Sequence, residues 1–324
     1  MIKTIWYRVF GKQLVFYNPH RNTTPLLSSE NRKNFIFVNF SWLVKITKMF
    51  GRSSSLPRKL AIKAVLSLFR PLYIIEPSWI SPIHKVLHEW CNSHSPSKFI
   101  VVQHGLYIGG VVVGDAPKFA RCNIMLCWGD VSLREFLRHN PNSKTHFVKW
   151  GNTVYNRLER REFEYKEVLG RKILFCPSFV TEDRIPNYEA LIKHLIRIGF
   201  DVSIKQHNFQ TKRARSLLGA RILNTELFHL FRSQAYDLVI SDHSTALIDA
   251  IFFKNNVLLF SPPGPSPAYD ENAYTRRLIN IHGEFHFWQT VRDVIAYVDI
   301  SAQEKLLEEM VHKGSNDLMM LQNV

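Results

Sequence analysis

The chain has 324 residues and is 46% hydrophobic, which is enough for two domains that each bury a core. Its 42 Lys and Arg side chains outnumber its 27 Asp and Glu side chains, and the net charge of +15 favours an anionic partner: nucleic acid, an anionic membrane surface or a phosphorylated substrate. No uninterrupted apolar run has the length of a membrane span, so we expect a soluble or peripheral protein.

Cysteine usage indicates a reducing compartment. None of the four cysteines forms a Cys-x-x-Cys pair or has zinc-finger spacing, and three lie in apolar stretches, where cysteine behaves as a small hydrophobe. The N-terminus scatters basic side chains among aromatic ones and lacks the apolar core of a signal peptide. We therefore expect free thiols and a cytoplasmic protein, peripheral at most on the inner face of the cytoplasmic membrane. The cysteines are Cys91, Cys122, Cys127 and Cys176.

The N-terminal region, residues 1–70, is basic and aromatic. Residues 35–40 predict a buried strand, which an apolar and basic stretch follows at 42–50. After a polar loop, residues 60–70 predict an amphipathic helix with basic side chains. Such a helix either lies on an anionic membrane or packs its apolar face on a core, and the sequence leaves both open.

Strands and helices alternate at short spacing in the rest of the chain, which predicts βαβ units and parallel sheets. In the first half, strands are expected at 71–76, 99–103, 123–128 and 146–149, and helices at 83–91 and 133–138. In the second half, strands are expected at 172–176, 201–205, 236–240 and 256–260, and helices at 186–199, 245–253 and 302–312.

A charged segment at 157–166 separates the two alternations. The predicted fold class is therefore α/β, with two Rossmann-like doubly wound domains facing a central cleft. We place the N-terminal domain, with its basic N-terminal region, at 1–155 and the C-terminal domain at 156–324.

The segment Gln103-His104-Gly105 closes a predicted strand of the first half, so His104 lies at the carboxyl end of a strand. Ligands bind at that end in open α/β sheets. The pKa of histidine is near neutral, so His104 suits a general base that takes a proton from a hydroxyl group. The alternative is a turn histidine whose ring nitrogens are satisfied by backbone groups.

The segment Lys205-Gln206-His207 ends a predicted strand of the second half. Lys205 and His207 alternate, so they share one side of an extended backbone. Lys205 can bind a phosphate oxygen as a point charge, and His207 can donate a hydrogen bond to one. On spacing alone, two surface polar residues at a strand end explain the pattern equally well.

A third polar cluster, Ser241-Asp242-His243-Ser244-Thr245, lies between an apolar run and a helix-like pattern. Ser244 or Thr245 can cap that helix through its hydroxyl group. Free backbone N–H groups and the helix dipole then attract an anion, most naturally a phosphate or diphosphate. The alternative is an ordinary βα turn with a Ser/Thr cap. Because all three clusters follow strands, we favour the functional interpretation.

Two other classes of site lack sequence support. No pair of acidic residues for a metal follows a strand, so we predict a metal-independent site without a cofactor, in which Lys, Arg, His and a helix dipole supply the positive charge. The basic clusters at 212–215 and 276–277 belong to no DNA- or RNA-binding motif, so nucleic acid is not the expected partner.

The order of these motifs resembles glycosyltransferases of the two-domain GT-B type, and among them capsule and teichoic-acid transferases such as CDP-glycerol glycerophosphotransferases. That family has a His-Gly motif in the first domain, matched by His104-Gly105. It has Lys-x-His-Pro in the second, matched by Lys205-Gln206-His207, although Asn208 replaces the proline. Its Ser/Thr-Asp-x-Ser-Ser/Thr turn is matched by residues 241–245. The match spans roughly residues 99–260, and residues 150–154 also resemble the interdomain segment of UDP-N-acetylglucosamine 2-epimerases.

The resemblance implies an inverting, metal-independent transferase. It would move a sugar or polyol phosphate from a CMP-, CDP- or UDP-linked donor to a cell-surface polysaccharide or lipid-linked acceptor, with His104 as the base. The donor-binding candidates are Lys205, His207, Asp242, Ser244 and Thr245, and further candidates at the cleft are Gln103, Gly105, Gly151 and Asn152. The basic N-terminal region would meet the anionic membrane that carries the acceptor. The alternatives are a UDP-sugar 2-epimerase and a non-catalytic module that binds an anionic polymer.

Overall fold

The computed structural model describes most of the chain. The described residues are 11–42, 45, 49, 55–78, 81–104, 120–158, 160–166, 170–177, 185–205, 221–223, 225–242, 245–260, 280–281, 288–296, 298–322 and 324. Most of the stretch predicted at 42–50 lies outside this set.

The chain divides into two compact units, one formed by residues 1–158 with 311–324 and the other by 159–310. The strands of the first unit are β1 (Gln13–Tyr17), β2 (Phe35–Asn39), β3 (Tyr73–Glu76), β4 (Lys98–Val102), β5 (Ile124–Cys127) and β6 (His146–Lys149). Its helices are α1 (Ser29–Asn34), α2 (Leu56–Phe69), α3 (Pro82–Ser93) and α4 (Asp130–His139).

The first unit is a doubly wound parallel sheet. Its strand order is β2-β1-β3-β4-β5-β6, and every pair of neighbours is parallel. Both faces are buried, because Phe99 and Val101 of β4 belong to one core cluster while Ile100 and Val102 belong to the cluster on the other face. A strand buried on both faces is typical of parallel sheets and explains its continuous apolar sequence.

The second unit has the strands β7 (Lys172–Cys176), β8 (Asp201–Ile204), β9 (Arg221–Ile222), β10 (Leu238–Ser241), β11 (Val257–Phe260) and β12 (Asn280–Ile281). Its helices are α5 (Ile185–Arg197), α6 (Leu227–Ser233), α7 (Thr245–Phe252), α8 (Val291–Ile295) and α9 (Ile300–Met310). The order β9-β8-β7-β10-β11-β12 is all parallel and is the strand order of the Rossmann fold. The predicted class, α/β with two Rossmann-like doubly wound domains, is thus confirmed.

The C-terminal segment 311–324 requires a correction to the predicted boundaries, because it packs in the first unit although the sequence assigned it to the second domain. Leu318 and Leu321 are buried in a core cluster of the first unit. The Asn31 side chain donates to the carbonyl of Asn316 at 2.6 Å and accepts from the backbone N–H of Leu318 at 2.9 Å. These contacts bridge more than 280 residues of sequence, so no local pattern could reveal them.

The helix predicted at 60–70 begins earlier, at Leu56, and packs one face on the core of the first unit. Ile62 and Leu66 are buried there, as is the Arg58 side chain. The packing alternative is therefore correct for that face. The opposite side of α2 remains exposed.

The cysteines lie in the interior of the protein as free thiols. All four cysteines are buried and unpaired by disulfides, and burial raises the pKa of each thiol.

Within the described ranges, no helix combines the length and the apolar content that crossing a bilayer needs.

Candidate functional site

The sheet of the first unit reverses its winding direction between β1 and β3, because β2 lies on one side of β1 and all later strands on the other. Loops diverge at such a switch point and leave a crevice beyond the carboxyl ends of the strands. Asn18 follows β1, Glu76 ends β3 and His104 follows β4, so all three lie at this edge. Of these, the sequence analysis identified His104 alone.

His104 has an imidazole ring whose hydrogen bonding defines its tautomer. Its ring bonds to the backbone of Pro77. Because proline has no N–H, the Pro77 carbonyl must accept, and a ring N–H of His104 donates. In the neutral ring, the other nitrogen is then an acceptor. Burial lowers the pKa of His104, the Pro77 bond opposes this, and Arg21 lowers the pKa further. The lowered pKa leaves the ring neutral at pH 7.

A second imidazole, that of His20, lies against the first. The two ring centroids are 5.8 Å apart and the rings meet edge to face. The backbone N–H of Asn22 donates to His20 Nδ1 at 3.2 Å, so the proton of the neutral ring is on Nε2. Burial lowers the pKa of His20 to about 4, with smaller contributions from His104 and Arg21. His20 is thus a neutral ring beside His104 with its proton on Nε2, and the sequence analysis missed it because it did not predict β1.

Glu76 is a buried carboxyl group at the same switch point, and sequence reasoning missed it too. It is 2% exposed and accepts a hydrogen bond from Asn18 Nδ2 at 2.9 Å. His84 Nε2 lies 3.8 Å from Glu76 Oε2. Burial raises the pKa of Glu76 to about 7, and the Asn18 bond opposes this rise. The signal in the sequence was a single acid at the end of an apolar strand.

Gln103 lies between the end of β4 and His104, and its hydrogen bonds connect that strand end to neighbouring elements. Its side chain is fully buried, donates to Ser132 Oγ and accepts from the Trp128 backbone N–H, each at 2.8 Å. Its carbonyl accepts from Asn22 Nδ2, also at 2.8 Å. Gln103 therefore joins the ends of β4 and β5 to the start of α4. The neighbouring candidate Gly105 lies outside the described residues.

Gly151 and Asn152 have packing roles in the structure. Gly151 has φ +91°, and a Cβ atom there would lie 2.4 Å from the carbonyl oxygen of His312. Only glycine tolerates both conditions. Asn152 is buried, and its Oδ1 accepts from the Val154 backbone N–H at 3.0 Å. The resemblance made these two residues site candidates. In the structure they hold the C-terminal segment and the turn after β6.

The second unit has its own switch point between β7 and β10. Ser241 ends β10, and its hydroxyl donates to the carbonyl of Cys176 at the end of β7, which ties the two strands together. Asp242 follows, fully buried, and its carboxylate accepts a hydrogen bond from the Tyr188 hydroxyl of α5. Asp242, a predicted residue for binding the nucleotide donor, is therefore a buried side chain whose partner is Tyr188. The sequence analysis did not identify Tyr188, because its position in a helical pattern is typical of an ordinary core residue.

Two more predicted donor residues flank this switch point. Thr245 is the first residue of α7, so the amino end of the helix lies immediately after the turn. Lys205 follows β8, the neighbour of β7, and its backbone N–H donates to the carbonyl of Phe175 at 2.9 Å. Both residues therefore lie toward the carboxyl edge of this sheet, which is the edge where open α/β sheets bind ligands. His207 and Ser244 lie outside the described residues.

Among the side chains that the structure describes, no three His, Cys, Asp or Glu residues come together in a way that could hold a metal ion.

Comparison with known proteins extends the description of the fold. No family model matches the chain, and no curated protein matches it either. Several solved structures, however, are similar to the chain. The UDP-GlcNAc 2-epimerase from Neisseria meningitidis, bound to UDP-GlcNAc, is similar with a TM-score of 0.56 and 11% identity, covering 96% of this chain and 98% of that one.

Two transferases are similar to the same degree. A glycosyltransferase from Rickettsia africae has a TM-score of 0.54 and 12% identity, covering 97% of both chains. A variant of the wall teichoic acid polymerase TagF has a TM-score of 0.52 and 12% identity, covering 96% of this chain and 87% of that one. At such identities the likeness is one of fold: the chain has the GT-B-type fold that these glycosyltransferases and epimerases share.

Proposed function

We propose that this chain is an enzyme that acts on a nucleotide-activated sugar or polyol, and that it transfers the activated group to a hydroxyl acceptor. The observation that carries the proposal is the state of His104. Its hydrogen bond to a proline carbonyl and its lowered pKa make it a neutral base at the ligand-binding edge of a sheet.

In the proposed reaction, His104 accepts the proton of the acceptor hydroxyl as its oxygen attacks the activated centre of the donor. The bond from that centre to the nucleotide phosphate breaks, and the nucleotide leaves with the electron pair. His20, with its proton on Nε2, donates a hydrogen bond in the same neighbourhood. General-base assistance of this kind contributes about 10²–10⁴-fold in rate.

The second unit is proposed to hold the donor phosphates. Lys205 offers a positive charge, and the amino end of α7 at Thr245 offers the positive end of a helix dipole. The buried hydrogen bond from Tyr188 to Asp242 fixes the residue that follows β10. Positive groups at this position stabilise the charge that develops on the leaving nucleotide. The solved structure of the Neisseria epimerase, which contains UDP-GlcNAc, supports this use of the fold.

Glu76 supports a second candidate, a UDP-sugar 2-epimerase. That reaction needs carboxyl groups that abstract and return a proton, and the sequence alone offered few. A carboxyl group with a pKa of about 7 at the switch point is suited to that work. The two candidates differ in one requirement, because the transferase needs an acceptor and the epimerase does not.

The test is product analysis with a panel of CMP-, CDP-, UDP- and GDP-linked sugars and polyols, each with and without a polysaccharide or lipid-linked acceptor. The variants are His104→Gln and, as a matched control, His146→Gln at the exposed opposite end of a strand in the same sheet. Acceptor-dependent release of nucleotide, lowered at least 100-fold in His104→Gln and unchanged in His146→Gln, supports the transferase.

Two results redirect the assignment. Conversion of a UDP-sugar without acceptor, abolished by Glu76→Gln, establishes the epimerase in its place. Full acceptor-dependent activity in His104→Gln refutes the role of His104 as the base.

A further inference from the structure

The helix α2 has an exposed apolar side opposite the face that packs on the core. Leu56, Leu60 and Leu68 are 67%, 57% and 53% exposed. They are spaced by four and eight residues, so they lie along one side of the helix. These three side chains are called the α2 leucine face below. Trp42 and Met49, which precede α2, are exposed as well, at 39% and 86%.

The part of the sequence that contains α2 is strongly basic. Residues 1–75 contain 13 Lys or Arg side chains and a single acid, Glu30, so this quarter of the chain carries +12 of the net +15. Lys59 and Lys63 lie beside the leucines on α2, which has no acidic residue. One carboxylate comes near from α3, since Glu89 lies 3.7 Å from the Lys63 ammonium. That pair is exposed, and such pairs contribute little.

We propose that the α2 leucine face is a docking surface for anionic phospholipid, onto which α2 lies flat with its leucines in the interface. Binding is favoured when exposed leucines are removed from water. It is also favoured when basic side chains at the rim lie beside anions. A surface of anionic headgroups over acyl chains satisfies both, which is the pattern of interfacial amphipathic helices.

Other occupants fit the chemistry less well. A second copy docked through the same face would bring Lys59 and Lys63 of both copies together, and like charges at an interface are costly. A nucleic acid would pair with the lysines but would leave the leucines in water. The lipid surface therefore accounts for both features with one partner.

The proposal does not depend on the reaction assigned above, because its test requires no turnover. The full chain is sedimented with vesicles of phosphatidylglycerol and phosphatidylcholine, and with vesicles of phosphatidylcholine alone. The wild type is expected to bind the first and not the second, and 0.5 M NaCl is expected to weaken binding. Each leucine is worth about fivefold in partitioning when its exposed half is buried, and each lysine about fivefold on an anionic surface.

The variant Leu56→Gln/Leu60→Gln/Leu68→Gln keeps helix-forming residues and is expected to bind at least tenfold more weakly. Lys59→Gln/Lys63→Gln is expected to bind about 25-fold more weakly, about fivefold for each lysine. The matched control is Leu137→Gln, which changes a leucine that is 49% exposed on α4 and should bind as the wild type does. Circular dichroism verifies that each variant folds. If the triple variant does not, Leu60→Gln alone is expected to lose about fivefold.

Three results would overturn the proposal: no binding of the wild type to anionic vesicles, equal binding by a folded triple variant, or a wild-type oligomer that the triple variant converts to monomer without any vesicle binding. The last result would make the α2 leucine face an interface between copies.

Discussion

The substitution Glu76→Gln is expected to stabilise the first unit at high pH and to leave it nearly unchanged at low pH. Gln is close in shape to Glu and can still accept the hydrogen bond from Asn18. What it removes is the ionisation of a carboxyl group that is 2% exposed. The measured difference therefore reports how much it costs to charge this position.

The magnitude follows from the raised pKa of Glu76, about 7 in the folded chain against an ordinary value of 4.5. Between these values Glu76 binds more protons in the folded state than in the unfolded state, so its contribution to the free energy of unfolding falls as pH rises, and the difference between the wild type and Glu76→Gln isolates that contribution. The loss is almost complete at pH 8, where it amounts to about 3 kcal/mol, and from pH 5 to pH 8 it is about 2.5 kcal/mol. If Glu76 shares its proton with His84, the pair still holds one proton below pH 7. The expected difference in pH dependence between the wild type and Glu76→Gln is therefore the same.

The assay is urea unfolding followed by tryptophan fluorescence at pH 5 and pH 8, for the wild type and for Glu76→Gln. Glu30→Gln is the matched control, because Glu30 is exposed beside Lys33 and its loss should not alter the pH dependence. Parallel curves for the wild type and Glu76→Gln over this pH range would refute the claim that Glu76 is protonated near neutral pH in the folded chain.

Two further substitutions test the packing around the candidate residues. Gly151→Ala should cost about 3 kcal/mol or more, because it adds a clash with the His312 carbonyl to the strain of a positive φ, whereas Gly11→Ala, with φ +61° and nothing within 4 Å, should cost about 1–2 kcal/mol; equal losses in urea unfolding would contradict this. Tyr188→Phe removes a donor to the buried Asp242 carboxylate, so unfolding measurements should show a loss of about 1–3 kcal/mol. A loss within error would mean that the bond does not hold the turn.

Local pattern was sufficient to predict most of the fold. The apolar runs at residues 172–176 and 99–103 coincide with β7 and, within one residue, with β4. It was insufficient where structure depends on distant partners. The segment 311–324 carries no sign of its unit, because its position is set by contacts with Asn31 and with Gly151.

For the site, position along a strand was the useful signal. His104, Lys205 and Thr245 were identified because polar residues followed apolar runs. The structure places His104 two residues after β4, Lys205 directly after β8 and Thr245 at the start of α7, the helix that follows β10. His20 and Glu76 could not be identified from local pattern, because their roles depend on which strands are neighbours. The β1–β3 adjacency that unites them is a property of the sheet order. Burial likewise converts Glu76 from an ordinary acid to one that is protonated near pH 7.

The central claim, that the second unit binds the nucleotide while His104 performs the chemistry, is tested most directly by calorimetric titration of UDP, CDP, CMP and GDP into three proteins: the wild type, Lys205→Met and His104→Gln. We predict that one nucleotide binds the wild type, that Lys205→Met weakens it about 10–100-fold through the loss of a charge-assisted bond, and that His104→Gln binds within about twofold of the wild type. Binding of none of the four nucleotides, or equal affinity in Lys205→Met, would contradict the account.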